Sequence, residues 1–402
     1  MNPLDTTFEQ VIRWLHSTRS LSAAQAEQLL AADYVEPQTK TNVDRAWYVK
    51  LFIGISAWIA ALFLISGVSS LAFIASGPVM TVAGLVLLGA ALALKWARQR
   101  SIFWGQFAFA LSLTGQGLFF GGFAQILFDT LQQPEEGAIS QLALIVMATQ
   151  ILLFFIFPDT VHRLLSVIFA SVAGIVLLVN ELTNWALPSE QIDELLGALP
   201  PLLLMLFAVG LLWVWQSRTK FFASRWHELH APLGYGLAIV MFGTALVTLF
   251  FDDMLDINTR FLWLASVGLA LLLAHLAMQV IDEFANQFTQ PRLAKFSVLI
   301  AIGLLLIPLY NTAGVWAALL ALVLGFRQNG HLLLGLATLF LLFFIGFYYY
   351  SLDITLLNKS YALIGSGVLL LLVRFTAGRF LGHSDHEMAR HDILPNRGEV
   401  SA

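Results

Sequence analysis

From Lys50 almost to its end, the chain repeats one arrangement: an apolar run of roughly twenty residues, a brief polar turn, then another apolar run. The stretch "LWLASVGLALLLAHLAMQV" is representative. About 20 apolar residues in a helix rise about 30 Å, the thickness of a bilayer's hydrocarbon core. Lipid offers the backbone no hydrogen-bond partner, so runs of this length are stable there only with their own amides paired. The chain is 58% hydrophobic and 11% charged, against about 25% charged in soluble domains. Too few charges remain to clothe several soluble domains, and the expected fold is all-α: one polytopic membrane domain.

Twelve candidate transmembrane helices follow from the runs: Lys50 to Ser69, Leu71 to Leu94, Ile102 to Ala124, Ile139 to Phe157, His162 to Asn180 and Leu196 to Trp215, then Ala231 to Phe251, Phe261 to Val280, Phe296 to Tyr310, Ala313 to Phe326, His331 to Tyr350 and Ser360 to Gly378. The ninth and tenth are short. Joined into one helix they would reach about 46 Å, too long for the core even with tilt. A break at "IPLYNTAG" is expected instead, with Pro308, Tyr310 and Asn311 as its residues. Residues 47–380 form the transmembrane domain, between a 1–46 helical hairpin with linker and a disordered 381–402 tail. The hairpin rests on Phe8, Val11, Ile12 and Leu15 at helical spacing and on a capping box at Ser22 and Gln25. It is expected to pack on the protein's own cytoplasmic face or on the lipid surface.

Orientation follows from the basic residues. Across the alternating loops of twelve spans, nineteen of the 21 Lys and Arg fall on one side, leaving Arg260 and Lys359 on the other. The positive-inside rule then places the N-terminus and C-terminus in the cytoplasm. "DTLQQPEEG", "NELTNWALPSEQIDEL" and "FDDMLDINTR" make the opposite face acidic, which favours cations or a basic partner over anions. The polar N-terminal stretch lacks the pattern of a cleavable signal peptide, so the first span is expected to serve as the targeting signal.

Few soluble-enzyme signatures survive inspection. Without cysteine there is no thiolate nucleophile, disulfide or iron–sulfur ligand. "HELH" at His227 to His230 spaces its histidines three apart, where the zinc-protease pattern needs four. "HSDHEMARH" offers metal-type donors at His383, Asp385, His386, Glu387 and His391, but in a tail expected to be disordered. Ser366 would need a base within reach, and His275 lies about 11 Å away in depth. No cofactor, bound metal or catalytic residue is expected. Nucleic-acid binding has no basic stripe to support it.

Chemistry inside the membrane rests on polar uncharged groups. No acid falls mid-span, and the one deeply placed titratable group is His275, about 8 Å from a helix end; its neutral imidazole is expected to bond a neighbouring helix. Ser112 and Gln116 share a helix face, and Thr149 and Gln150 lie on the next span at comparable depth, so a Gln116–Gln150 hydrogen bond is expected. Gly117 and Gly121 offer a small-residue surface for close helix approach. Pro200 and Pro201 are candidates for a second helix break. Tyr348, Tyr349 and Tyr350 fit an interfacial aromatic belt. Asp353 and Lys359 are separated by about 240° on a helix, so they form part of an external rim and not a buried pair.

Three stretches carry a family likeness: "AWYVKLFIGISAWIAALFLI", "FALSLTGQGLFF" and "YYYSLDITLLNKSYALIGSGVLLLLVR". Together they resemble a bacterial membrane-protein family catalogued as domain of unknown function 4401, over roughly Ala46 to Gly378. The N-terminal hairpin is similar to the start of domain of unknown function 2157. The resemblance implies the bacterial inner (cytoplasmic) membrane and no established activity. It also implies a partner, a small membrane-anchored protein bearing a GDYxxLxY motif. The expectation is therefore a non-enzymatic membrane-embedded subunit or scaffold in the lipid bilayer, the alternative being a permease or channel for a neutral or weakly cationic small solute.

Overall fold

The computed structural model describes residues 47–72, 76–97, 102–130, 135–184, 188–218, 227–250, 257, 259–283 and 291–351, together with 364 and 371. The N-terminal hairpin, the tail with its histidines, Asp353, Lys359, Ser366 and nearly all of the twelfth candidate span lie outside the described residues. Among those described, all regular structure is helical: α1 (Trp47–Ala72), α2 (Gly77–Ala97), α3 (Ile102–Gln125), α4 (Glu135–Ile156), α5 (Thr160–Thr183), α6 (Ser189–Gln216), α7 (His227–Phe250), α8 (Thr259–Glu283), α9 (Pro291–Leu306), α10 (Ala313–Arg327) and α11 (His331–Ser351). A π-helical turn, Ile126–Thr130, extends α3. Eight helices among the described residues are long and apolar enough to cross a membrane. The chain is an integral, multi-pass membrane protein.

The chain divides into two compact units. The first comprises 1–74 and 86–115. Within it Trp58 of α1 donates from Nε1 to Gln106 Oε1 of α3 at 3.2 Å and packs edge-on against Phe109. Ala57, Ala91 and Ala108 are fully buried there, small residues that permit close helix approach where no hydrophobic force between helices operates.

The second unit comprises 75–85 and 116–402. Its centre is α10, which packs against α6, α7, α8 and α11. Ala313 through Ala318 are all buried, as are Leu320, Ala321, Leu324 and Gly325. Trp316, Phe242, Met241, Leu204, Leu211, Leu269 and Leu320 fill the surrounding space, and the Phe242 ring stacks on Phe340 at 4.3 Å. Gly314 is required here, because a Cβ would sit 2.8 Å from the Phe344 ring. On the periphery α9 buries none of its side chains, as a lipid-facing helix should.

The break between α9 and α10 is present, spanning residues 307–312. At 16 and 15 residues, the two helices extend about 24 and 22 Å, each short of a full crossing. Pro308 cannot donate to a continuing helix, and the carbonyls freed around it find side-chain donors. Tyr348 Oη donates to the Pro308 carbonyl at 2.8 Å, while Trp316 Nε1 and Thr312 Oγ1 donate to the Leu309 carbonyl at 3.0 and 2.9 Å. Such compensation is what a broken helix needs at membrane depth.

Two packing expectations are corrected. Pro200 and Pro201 interrupt nothing: α6 runs through both, and both are buried, so their missing amide bonds are absorbed within a packed helix. The close glycine crossing lies one position away from the expected pair. An added Cβ at Gly117 meets nothing within 4 Å, whereas one at Gly122 would stand 2.5 Å from the Thr81 amide nitrogen and 2.6 Å from the Gly77 carbonyl oxygen. The start of α2 therefore crosses the end of α3 backbone to backbone at Gly77, Thr81 and Gly122.

Candidate functional site

The site begins in the turn "FPDTVH" between α4 and α5. Pro158 disfavours helical backbone at the residue before it, and α4 closes there with the Phe157 amide on the Leu153 carbonyl at 2.9 Å. Asp159 is extended, at φ −144° and ψ 127°. Its Oδ1 accepts from the Val161 and His162 amides, each at 3.1 Å, which is an N-cap satisfying donors a helix start would otherwise leave open. The cap sets His162 in the first turn of α5 and folds its ring back onto Phe157, with centroids 4.0 Å apart and planes within 15°.

Helical periodicity supplies the other members. On α4 and at its end, Ala143, Gln150 and Phe157 recur at intervals of seven and all are buried, so Gln150 occupies the stripe that faces the protein. On α5, His162, Ser166 and Ala173 share a buried face in the same way. Gln116 reaches in from α3. Gln150 Nε2 donates to Gln116 Oε1 at 2.6 Å, Gln116 Nε2 lies 3.2 Å from His162 Nε2, and His162 Nδ1 lies 3.4 Å from Ser166 Oγ. The four side chains are at most 4% exposed, as buried as the leucines of the central core.

The sequence of donors fixes the chain's direction. Because Gln116 Oε1 accepts from Gln150, its Nε2 must donate to the imidazole. His162 Nε2 is then an acceptor, and the ring proton sits on Nδ1, aimed at Ser166. In that tautomer the imidazole donates to the serine hydroxyl. One member keeps an open valence: Gln150 Oε1 is buried and accepts no hydrogen bond.

Around this chain the helices are pinned by further polar contacts. Arg163 ion-pairs with Glu228 of α7 at 3.1 Å. At the opposite end of the α4–α5 pair, Asn180 Nδ2 donates to Ser140 Oγ at 2.8 Å, and Ser140 Oγ donates to Glu181. Among the described residues no group of three or more His, Asp and Glu side chains is placed to hold a metal.

The structure distributes the sequence candidates unevenly. The Gln116–Gln150 hydrogen bond is present. Ser112 is fully buried, and Thr149 is half-buried, one position and about 100° round α4 from Gln150. His275 departs from expectation. It is exposed and bonded along its own helix, accepting from Gln279 at 2.9 Å, and Gln279 in turn accepts from Arg327 of α10 at 2.7 Å and Gln216 of α6 at 3.2 Å. The deeply buried imidazoles are instead His162 and His230, the latter 3.2 Å from the Val214 carbonyl. Pro308, Tyr310 and Asn311 form the α9–α10 turn, and Asn311 Oδ1, like Gln125 Oε1 and Ser266 Oγ, is a further buried acceptor without a hydrogen bond. Tyr348, Tyr349 and Tyr350 end α11, the last of them 82% exposed. His162 and Ser166 were missed. Asp159 four residues before Arg163, with a proline ahead of it, was the available signal for a helix start that turns them inward.

The model of the family described as Domain of unknown function (DUF4401) matches residues 46–380, and the chain belongs to that family. No curated protein and no solved structure matches the chain.

Proposed function

We propose that this member of the DUF4401 family is a permease for small neutral polar solutes, with Gln116, Gln150, His162 and Ser166 as its recognition element. One observation carries the reading: four polar side chains, all uncharged as bonded, meet where three membrane helices come together. Packing in lipid does not need them, since apolar and small residues associate helices well enough. A neutral hydrogen-bonding cluster suits an uncharged solute, whereas an ion would call for compensating charge or many carbonyl ligands. The break between two short helices supports the same reading, because freed backbone and discontinuous helices are a recurrent feature of solute sites. The basic-residue count supports both termini on the cytoplasmic side, and the family likeness supports a bacterial inner membrane.

The test is flux in proteoliposomes, followed by light scattering after mixing with a panel of neutral solutes. The expected result is solute entry above that of empty liposomes, reduced in Gln116→Leu. A second reading, a membrane-embedded subunit for a protein partner, is favoured by the apolar core around α10. Recovery from native membranes with a stoichiometric protein, together with no solute entry, would establish that reading and remove the first.

A further inference from the structure

We infer that Gln150 Oε1 is the ligand-facing end of the buried chain, and that it selects solutes able to donate a hydrogen bond, such as amides, ureas and alcohols, over solutes that only accept. The inference rests on the permease reading and specifies its substrate class.

A carbonyl oxygen shut away from water with no donor is unusual in a native protein and calls for a partner. Gln150 is 1% exposed, and its Oε1 has no hydrogen bond. Local rearrangement does not remove the need. Turning the Gln150 amide alone would set its oxygen against Gln116 Oε1, at the 2.6 Å now spanned by a hydrogen bond, and two acceptors repel. Gln116 would have to turn as well, presenting its oxygen to His162 Nε2. That demands the imidazole proton on Nε2, with Ser166 donating to Nδ1. The reversed chain is internally complete, but it leaves Gln150 Nε2 as the open group, a donor needing an acceptor.

One end therefore stays open in either direction, and the direction decides what fills it. With Gln150 donating to Gln116, the opening is an acceptor, and only an N–H or O–H group completes it. The four bonded side chains carry no charge to attract an ion, the neighbouring Arg163 being paired with Glu228, and their one open acceptor can orient a neutral molecule. A site built to bond an N–H or O–H rejects the analogue lacking it far more strongly than an apolar pocket rejects a missing methylene.

The experiment compares urea and acetamide, which donate, with trimethylamine N-oxide, a compact neutral solute that only accepts. Each is presented to proteoliposomes of the full chain and to empty liposomes. Protein-dependent entry of urea or acetamide at least about tenfold faster than that of trimethylamine N-oxide is expected, and Gln150→Met should abolish the difference while the protein still elutes as the parent does. The parent comparison needs no variant, so a misfolded Gln150→Met does not spoil it. Equal entry of all three solutes, or preference for trimethylamine N-oxide, overturns the inference and leaves the permease reading standing. If Gln150→Met alters only osmotic water permeability, with urea entry as in the parent, the oxygen holds water alone and the inference falls. If no solute enters above the empty-liposome rate, the permease reading falls and takes the inference with it.

Discussion

Two regions of the larger unit bury their side chains equally well and for different reasons. Around α10 the contents are Trp316, Phe242, Met241, leucines and alanines, all but closed to solvent. Where α3, α4 and α5 meet, Gln116, Gln150, His162 and Ser166 are just as enclosed but joined by hydrogen bonds. In lipid, moving an apolar side chain from tails to a helix interface changes its solvation little, so the α10 core is held by close van der Waals fit. The polar region gains less from fit and more from direction, since each amide must point one way for its neighbour to bond. The first arrangement provides rigidity. The second leaves one acceptor open, and on the permease reading proposed above it provides selectivity.

Trp316→Ala probes the first arrangement and should have the largest effect. The indole is fully buried, and its Nε1 holds the Leu309 carbonyl at the helix break. Truncation leaves a large cavity and removes one of the donors to the Leu309 carbonyl, which Thr312 still holds, an expected loss of about 3–5 kcal/mol. Reversible unfolding in mixed detergent micelles is the measurement, alongside solute preference in whatever folded fraction remains. If Trp316→Ala costs no more than removing Gln116, the division between a rigid core and a selective site is wrong.

The polar region should respond less, and asymmetrically. Gln116→Leu strands both the Gln150 amide and His162 Nε2, for about 1–3 kcal/mol. Gln150→Leu should cost less, because it deletes an unpaired oxygen along with the donor, and loss of an unsatisfied group offsets loss of a bond. A double-mutant cycle isolates the pair. Coupling of about 0.6 kcal/mol is usual between membrane helices, with about 1.7 at the upper end. Equal single-mutant costs would mean that Gln150 Oε1 has a permanent partner and is no open end.

How far the sequence anticipated these regions depends on what each residue's neighbours encode. Apolar runs gave the helices, and the length of Phe296 to Phe326 gave the break at Pro308, because both follow from bilayer thickness. Gln116 and Gln150 were legible as amides at similar depth in otherwise apolar spans. His275 misled for a physical reason. Depth along a span can be counted from its ends, but a helix apolar all round has no amphipathic direction, so nothing in α8 said that His275 faces outward while Leu273, Ala274 and Leu276 face in. His162 was concealed differently: it stood as the first residue of its candidate span, beside a basic residue, where a side chain is expected at the membrane surface. Only the Asp159 cap reveals that the helix has already begun and that its third position turns inward. Gly122 was displaced by one from the expected Gly117/Gly121 surface because three glycines of a run are interchangeable in sequence, and only the approach of Thr81 distinguishes them.

The smallest expected effect lies at the helix break beside the rigid core. Tyr348→Phe removes one hydroxyl, the donor to the Pro308 carbonyl, and leaves the ring in place at the end of α11. The Leu309 carbonyl keeps both its donors, Trp316 and Thr312, so the break should persist. The lost bond is half-exposed, and the Pro308 carbonyl can turn to water or a headgroup, which puts the cost near the low end of a single hydrogen bond, about 0.5 kcal/mol. Hydrogen exchange at residues 307–312 should quicken, while exchange across α10 and the solute preference proposed for Gln150 stay as in the parent. A change in selectivity from this substitution would mean that the helix break and the polar region act together, and that the α10 core transmits more than rigidity.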